Sequence, residues 1–192
     1  MQTTHFSVLD ANGNLVAATI TVNLFFGCGY MPAKTGVLLN DEMDDFSIKP
    51  ATPNAFGLVG DKANEIAPNK RPLSSMTPSF VRTSKGLMII GTPGGSRIIS
   101  MVLLGTLDYL NGMNAADIVK DPRYHHQYLP DQVEYEPGAL AQSEISQLQE
   151  MGQNLQEQGH QWGNMQVVTW DFASGKVEAA SDPRGEGAGL VY

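Results

Sequence analysis

Residues 3–23 read TTHFSVLDANGNLVAATITVN, and they set how the chain begins to fold. Polar and apolar residues alternate from His5 to Asp10, which is typical of a half-buried strand. The pair Asn12-Gly13 is the strongest short signal for a β-hairpin. Leu15 to Asn23 is rich in Val, Ile and Thr, as expected of a returning strand. We therefore predict an antiparallel hairpin with Thr3 near one end.

The remainder of the chain mixes strands, helices and one long irregular stretch. Ser47 to Pro78 shows little periodicity, and a stretch of that kind inside a domain is often functional. The order of the other elements favours an α+β layered fold over a doubly wound parallel sheet. We predict strands over Gly36–Asn40, Leu87–Gly91, Tyr128–Glu136 (a pair broken at Pro130), Met165–Trp170 and Lys176–Ala180, and helices over Arg97–Leu110, Asn114–Lys120 and Glu144–Gln158.

Composition limits the classes of protein to consider. A chain of 192 residues with 42% hydrophobic residues is expected to form one domain over residues 1–192. Its net charge of −8 argues against a nucleic-acid surface, which would be basic. No apolar run is long enough to span a bilayer, and the first residues lack the segments of a signal peptide. The lone Cys28 excludes an internal disulfide and is interpreted as a small buried side chain.

Thr3 is a candidate nucleophile if it becomes the first residue of the chain. A threonine hydroxyl is a weak nucleophile until a base takes its proton. An N-terminal α-amine, with a pKa of about 7.7–8.0, could be that base. The same hydroxyl could first attack the Gln2 carbonyl, giving an ester whose hydrolysis frees the amine. Without such processing Thr3 is an ordinary strand threonine, and the residues alone leave both interpretations open.

Pro93-Gly94-Gly95-Ser96 lies between a predicted strand and a predicted helix. Glycines at that place let backbone N–H groups approach an anion or an oxyanion. A tight strand-to-helix turn would require glycine as well, so the pattern allows either role. The lysine of a nucleotide-binding phosphate loop is absent.

Two polar clusters could recognise a charged ligand. Glu42, Asp44 and Asp45 could pair with an ammonium group, although a solvated acidic turn is the more common case. Ser74 and Ser75, in a Pro-rich loop, could hydrogen-bond a carboxylate, although loop serines need no function.

The remaining candidates are interpreted as structural. His125 and His126 are adjacent, so their side chains point to opposite sides and make a poor chelating pair. Neither has an obvious carboxylate or serine partner in the sequence. We therefore expect no metal site and no cofactor, and we expect the Trp and Met residues in the core.

Several motifs occur in a characteristic order along the chain. They are Thr3–Ser7 (TTHFS), Phe26–Gly29 (FGCG), Leu39–Phe46 (LNDEMDDF), Pro68–Met76 (PNKRPLSSM), Gly91–Arg97 (GTPGGSR), Pro122–Gln127 (PRYHHQ) and Ser181–Arg184 (SDPR). With these motifs the chain resembles, over essentially its whole length, the small subunit of gamma-glutamyltranspeptidase, an N-terminal nucleophile hydrolase. The resemblance implies a four-layer αββα sandwich of antiparallel sheets, completed by a large subunit from the same precursor.

The resemblance also implies an activity and a role for each matching residue. The activity is γ-glutamyl transfer, and hydrolysis of glutathione and other γ-glutamyl amides, through a γ-glutamyl-threonine ester. The implied roles are Thr3 as the nucleophile freed by autoprocessing behind Met1-Gln2, Thr21 as its hydrogen-bonding neighbour, Gly94 and Gly95 as the oxyanion hole, Asn23, Glu42 and Asp45 as ligands of the α-amino group, Ser74 and Ser75 as ligands of the α-carboxylate, and Phe56 in the lid, where several members carry tyrosine.

Two alternatives stay open at this point. One is an acylase of the same family that removes a glutaryl-type side chain from a β-lactam nucleus, whose substrate has no α-amino group to meet Glu42 and Asp45. The other is a catalytically inert fragment that keeps Met1-Gln2. The resemblance further implies that a carboxylate-binding arginine lies in the large subunit, and that the protein is periplasmic or extracellular.

Overall fold

The computed structural model describes residues 3–192, so Met1 and Gln2 lie outside the described residues. Its strands are β1 Thr3–Leu9, β2 Leu15–Thr21, β3 Ser79–Arg82, β4 Gly86–Gly91, β5 Tyr124–Gln127, β6 Gln132–Tyr135, β7 Leu155–Glu157, β8 Gln166–Asp171 and β9 Val177–Ser181. Its helices are α1 Ile98–Leu110, α2 Ala115–Lys120 and α3 Gln142–Glu150, with short 3₁₀ turns at Glu42–Asp45, Lys62–Asn64 and Gly95–Arg97.

The strands form three sheets, and most of their pairs are antiparallel. The largest sheet has the order β3-β4-β8-β9 and is antiparallel throughout. The predicted hairpin is β1-β2, with Thr3 paired to Thr21. Strands β5-β6-β7 form a separate small sheet that shares no strand with the other two. In it β7 runs parallel to β6. The α+β class with antiparallel sheets is therefore as predicted.

Strand β4 is buried along its whole length because both of its faces are covered. Ile90 belongs to the core cluster formed with α1 and α2, where it faces Gly105 of α1. Gly91, the next residue, faces the opposite way, and a methyl group there would overlap the imidazole of His5 in β1. The helices and the hairpin therefore cover opposite faces of the central sheet, giving three layers.

A buried ionic network closes one end of the core. Asp182, which follows β9, binds Arg123 (Oδ2 to Nη2, 2.6 Å) and Arg184 (Oδ1 to Nη1, 3.2 Å). Arg184 also binds Glu136 at 2.6 Å, and Arg123 donates to the backbone carbonyl of Val119 at the end of α2. Arg123, Glu136 and Asp182 are at most 2% exposed. The network therefore joins α2 to the ends of three strands.

Two predicted elements are wrong because tertiary context overrides the local pattern. Residues 36–40 of the described chain form no strand, and Val37 is 56% exposed. Leu39 makes its backbone hydrogen bonds to Cys28 and Tyr30 in a local loop, so no strand pairs with this segment. The helix predicted to Gln158 ends at Glu150, because Gly152 (φ 86°) turns the chain and residues 155–157 then pair with β6.

Smaller differences concern single boundaries and side chains. The first strand of the pair predicted around Pro130 lies earlier, over Tyr124–Gln127, and β3 was not predicted. Cys28 is exposed rather than buried. The core contains Trp162 and Met88, Met101 and Met165, whereas Met31, Met43 and Met151 are more than half exposed. Within residues 3–192, we find no helix with the length and apolar character that a membrane crossing requires.

Candidate functional site

The hairpin brings two threonine hydroxyls together. The β1-β2 register places Thr3 opposite Thr21, and their Oγ1 atoms lie 2.9 Å apart. The backbone N–H of Asn23 donates to the same Thr21 oxygen at 2.7 Å. Since that oxygen accepts from Asn23, its own proton can be donated to Thr3. The hydroxyl of Thr3 is thus held in one position by a neighbouring side chain.

Asn23 turns the chain from β2 toward the acidic segment. It is buried and has a φ of 73°, a left-handed conformation that asparagine tolerates better than most residues. Its side-chain amide donates to the carbonyl of Asp41 at 3.3 Å. In turn, the Asp41 carboxylate accepts from the N–H of Leu24 at 3.0 Å. These bonds fix the acidic turn beside the end of the hairpin.

The glycine turn is positioned by the central sheet. Strand β4 ends at Gly91, against His5, and Thr92-Pro93 leads to Gly94 (φ 155°) and Gly95 (φ 60°). The backbone conformation of Gly94 favours glycine, since a side chain there would be strained and would also displace the end of Met101. Gly95 opens a 3₁₀ turn that continues into α1. The turn therefore lies where strand and helix converge on the hairpin.

Burial keeps His5 neutral. Its ring nitrogens contact Thr19 Oγ1 at 2.8 Å and Ser7 Oγ at 3.1 Å, and burial lowers its pKa to about 4. At neutral pH the imidazole is therefore an uncharged spacer between β1 and Gly91.

One cleft collects all of the sequence-predicted site residues except Glu42, Asp44 and Gly94. It is lined by Thr3, Thr21, Asn23, Asp45, Phe56, Leu58, Leu73, Ser74, Ser75, Met76, Gly95 and Ile98. The space enclosed by these side chains is about 30 Å³, which is room for one water-sized group. The apolar members Leu58, Leu73, Met76 and Ile98 were not predicted, because nothing in their sequence pattern separates a cleft wall from a core.

The acidic turn places one carboxylate, that of Asp45, in the wall of the cleft and a second, that of Glu42, in the same turn. Asp45 lines the cleft, and burial raises its pKa. Glu42, at the start of the same 3₁₀ turn, has its pKa raised to about 7 by burial and by the negative charge of Asp45. Its Oε1 atom is buried and accepts no hydrogen bond from the described residues. Burial and mutual repulsion both disfavour the ionised form of these two carboxylates. A bound cation would offset both effects.

Two serine hydroxyls belong to the same cleft. Ser74 is exposed and accepts from the N–H of Met76 at 3.2 Å, and Ser75 is half-buried. Phe56 is half-buried, and its carbonyl lies 3.5 Å from the Ser96 hydroxyl beside the glycine turn. The phenylalanine thus contributes to the cleft from a third segment of chain.

The two histidines lie on β5 with opposite exposure, as predicted, but each has a partner that the sequence did not reveal. His125 Nδ1 contacts Ser100 Oγ at 2.7 Å, and the exposed His126 binds Asp131 at 2.9 Å. Among the residues that the structure describes, no group of His, Cys, Asp and Glu side chains is placed to hold a metal ion.

The sequence of this chain matches one protein family over its whole length. The sequence profile described as Gamma-glutamyltranspeptidase matches residues 1–192. The chain belongs to the gamma-glutamyltranspeptidase family. It is 50% identical over 99% of its length to a glutathione hydrolase proenzyme of Pseudomonas aeruginosa, and 44% identical over 95% to that of Escherichia coli. It covers 34% and 31% of those relatives, so it spans about a third of their length.

Solved gamma-glutamyltranspeptidase structures share the fold. An acivicin-inhibited gamma-glutamyltranspeptidase superposes with a TM-score of 0.89 at 40% identity, and the match covers 95% of this chain and 99% of that one. The fold is therefore the N-terminal nucleophile hydrolase fold of this family, as the motifs predicted. Of its layers, the described residues of this chain contain one of helices, the central sheet and the hairpin.

Proposed function

We propose that this chain, together with a large subunit from the same precursor, transfers and hydrolyses the γ-glutamyl group of glutathione and other γ-glutamyl amides. The observation that carries the proposal is the Thr3 hydroxyl, 2.9 Å from Thr21 Oγ1. It shares one cleft with the Gly95 turn, with Asp45 and with Ser74-Ser75. This is the set that an acyl transfer from a zwitterionic donor needs.

Thr3 acts as an N-terminal nucleophile in this proposal. Cleavage of the bond before Thr3 frees its α-amine, which takes the hydroxyl proton as Oγ1 attacks the γ-carbonyl carbon. The Gly94-Gly95 turn supplies backbone N–H groups to the oxyanion, and the leaving amine takes the proton. Water then attacks the γ-glutamyl ester to give glutamate, or an amino acid or dipeptide attacks it to give transfer.

The cleft recognises the γ-glutamyl group by its two charges. Asn23, Glu42 and Asp45 hold the α-ammonium, and Ser74 and Ser75 hold the α-carboxylate. A glutaryl group would leave two partly buried carboxylates without a cation, so γ-glutamyl donors are preferred over glutaryl donors.

The large subunit completes the site in this proposal. The described side chains enclose only about 30 Å³, so the large subunit forms the remaining walls of the substrate pocket in this proposal. The large subunit also supplies the arginine for the α-carboxylate. We place the enzyme in the periplasm or outside the cell, following its family.

Mass spectrometry of the N-terminus, combined with an assay, tests the proposal. The chain is purified with its large subunit, and release of p-nitroaniline from γ-glutamyl-p-nitroanilide is followed. A chain that starts at Thr3 and releases the amine supports the enzyme. A chain that keeps Met1 and Gln2 and shows no release supports the inert fragment.

The Thr3–Thr21 contact predicts a loss of rate. Thr21→Val removes the hydroxyl that positions Thr3 Oγ1, and we expect kcat to fall about 10- to 100-fold with little change in KM. Thr19→Val is the matched control, since it makes the same change two residues away on β2 and loses the contact with His5. An equal fall in both variants would assign the effect to hairpin stability rather than to Thr3.

The raised pKa of Glu42 predicts how glutamate binding depends on pH. Only the ionised carboxylate pairs with an ammonium, and in the free protein Glu42 loses its proton at about pH 7. The inhibition constant of L-glutamate should therefore fall as pH rises from about 6 to about 8. Glutarate, which lacks the ammonium, should show no such fall, and Glu42→Gln should flatten the glutamate profile. A parallel profile for both inhibitors would contradict the role of Glu42.

A further inference from the structure

The proposed ammonium and carboxylate subsites come from two segments of chain that no strand or α-helix connects. Asp45 ends a 3₁₀ turn, and Ser74-Ser75 lie in a loop almost thirty residues later. No sheet bond joins these two segments within the described residues. Their separation must nevertheless be fixed, because a ligand that is charged at both ends binds well only if both subsites are at the right distance.

Asn64 joins the two segments through one side chain. Its Nδ2 donates to the carbonyl of Asp45 at 2.7 Å, and its Oδ1 accepts from the N–H of Leu73 at 2.9 Å. Leu73 immediately precedes Ser74. A backbone carbonyl only accepts and a backbone N–H only donates, so this pair of bonds also determines which amide atom is nitrogen.

The backbone of Asn64 is itself held in place. Its carbonyl accepts from the N–H of Ser47 at 2.9 Å, and its N–H donates to Asp61 O at 2.9 Å. The Asp61 carboxylate caps the short turn Lys62–Asn64 by accepting from the N–H of Lys62 at 2.7 Å. The side chain thus projects from a fixed turn, and its two hydrogen bonds are not made by a freely rotating group.

We infer that Asn64 is a positioning residue that sets the distance between the ammonium subsite and the carboxylate subsite. The inference rests on the proposed function for its substrate. The two side-chain hydrogen bonds of Asn64, which we call the Asn64 clamp, are a property of the chain itself. Only a side chain that offers a donor and an acceptor on one planar group can make both bonds. Aspartate keeps the acceptor for Leu73 and would present a second acceptor to the Asp45 carbonyl.

Competitive inhibition separates a distance-setting role from a general structural one. L-Glutamate uses both subsites, whereas glutarate lacks the ammonium and 4-aminobutyrate lacks the α-carboxylate. For Asn64→Ala we expect the inhibition constant of glutamate to rise about tenfold, and those of the single-ended ligands to change less than about twofold. Asn64→Asp should behave like Asn64→Ala, because the donor to Asp45 is lost.

Asn114→Ala is the matched control. Asn114 also accepts a backbone N–H through its side-chain amide, from Asp117 at 2.9 Å, but it caps α2 and lies outside the cleft. We expect this variant to leave all three inhibition constants unchanged. Equal rises for all three ligands in the Asn64 variants, or wild-type behaviour of Asn64→Asp, would overturn the inference.

Hydrogen exchange gives a readout that needs no catalysis. Loss of the clamp should speed exchange in the peptide covering residues 70–76, relative to wild type and to Asn114→Ala. Unchanged exchange there would overturn the inference even in an active enzyme. If wild type releases no amine from γ-glutamyl-p-nitroanilide while Asn64→Ala still speeds this exchange, the proposed function fails and the clamp stands.

Discussion

Replacing Thr3 with alanine is expected to lower kcat for amine release from γ-glutamyl-p-nitroanilide by at least about 10⁴-fold, since no other hydroxyl can replace the nucleophile. Thr21, whose Oγ1 lies 2.9 Å from that of Thr3 on the neighbouring strand, is not an N-terminal residue. The variant should also keep the bond before residue 3, because the same hydroxyl performs both cleavages. Mass spectrometry should show the intact precursor, and the p-nitroaniline assay should show the loss of amine release.

Thr4→Ala is the control for this result. Thr4 has the same side chain one residue later, and it is exposed on the opposite face of β1. Its replacement should leave processing intact and kcat within about twofold, as surface changes away from a site usually do. Activity of Thr3→Ala above about 1% of wild type would contradict an ester on Thr3.

The second large effect concerns stability. Asp182→Asn keeps the shape of the side chain but removes the charge that two buried arginines share. Burial alone would raise the pKa of Asp182, yet Arg123 and two backbone N–H donors hold it below its ordinary value. Breaking such a network leaves an uncompensated buried charge, and we expect unfolding to become easier by about 3–5 kcal/mol.

Urea unfolding of the purified two-subunit protein measures this effect, and Lys176→Ala provides the comparison. Lys176 and Glu178 form an ion pair of the same length, 2.6 Å, with the lysine 67% exposed. Removing this surface pair should cost less than about 1 kcal/mol. Because the pKa of Asp182 is lowered, its contribution is present above about pH 4 and is lost as pH falls further. Equal costs for the two variants would show that burial adds nothing to the network.

The parts of the fold that local pattern determines were predicted from the sequence. The hairpin around Asn12-Gly13, the buried strand to Gly91 and the helix to Leu110 each carry a strong periodic or turn signal. Residues 36–40 have the composition of a strand without a partner strand, and only the folded chain reveals that lack. Strand β7 depends on the parallel neighbour β6, which is distant in sequence, so the helix prediction extended across it.

The sequence offers candidate site residues but not their geometry. The motifs identify Thr3, Asp45 and Ser74-Ser75, but nothing in them tells how far apart these groups lie. In the inference above that distance depends on Asn64, whose sequence context gives no signal and whose partners are backbone atoms. Backbone partners leave no mark in a sequence, because any residue type can supply them.

The contact between His5 and Gly91 has a consequence for how the two positions can change over evolutionary time. The imidazole occupies the space that any side chain at position 91 would need. A larger residue at 91 is tolerated only after position 5 has become smaller, and a smaller residue at 5 leaves a void beside the nucleophile strand. Changes at the two positions are therefore ordered. A side chain at 91 becomes possible only after position 5 has become smaller, and it then fills the void that this change leaves.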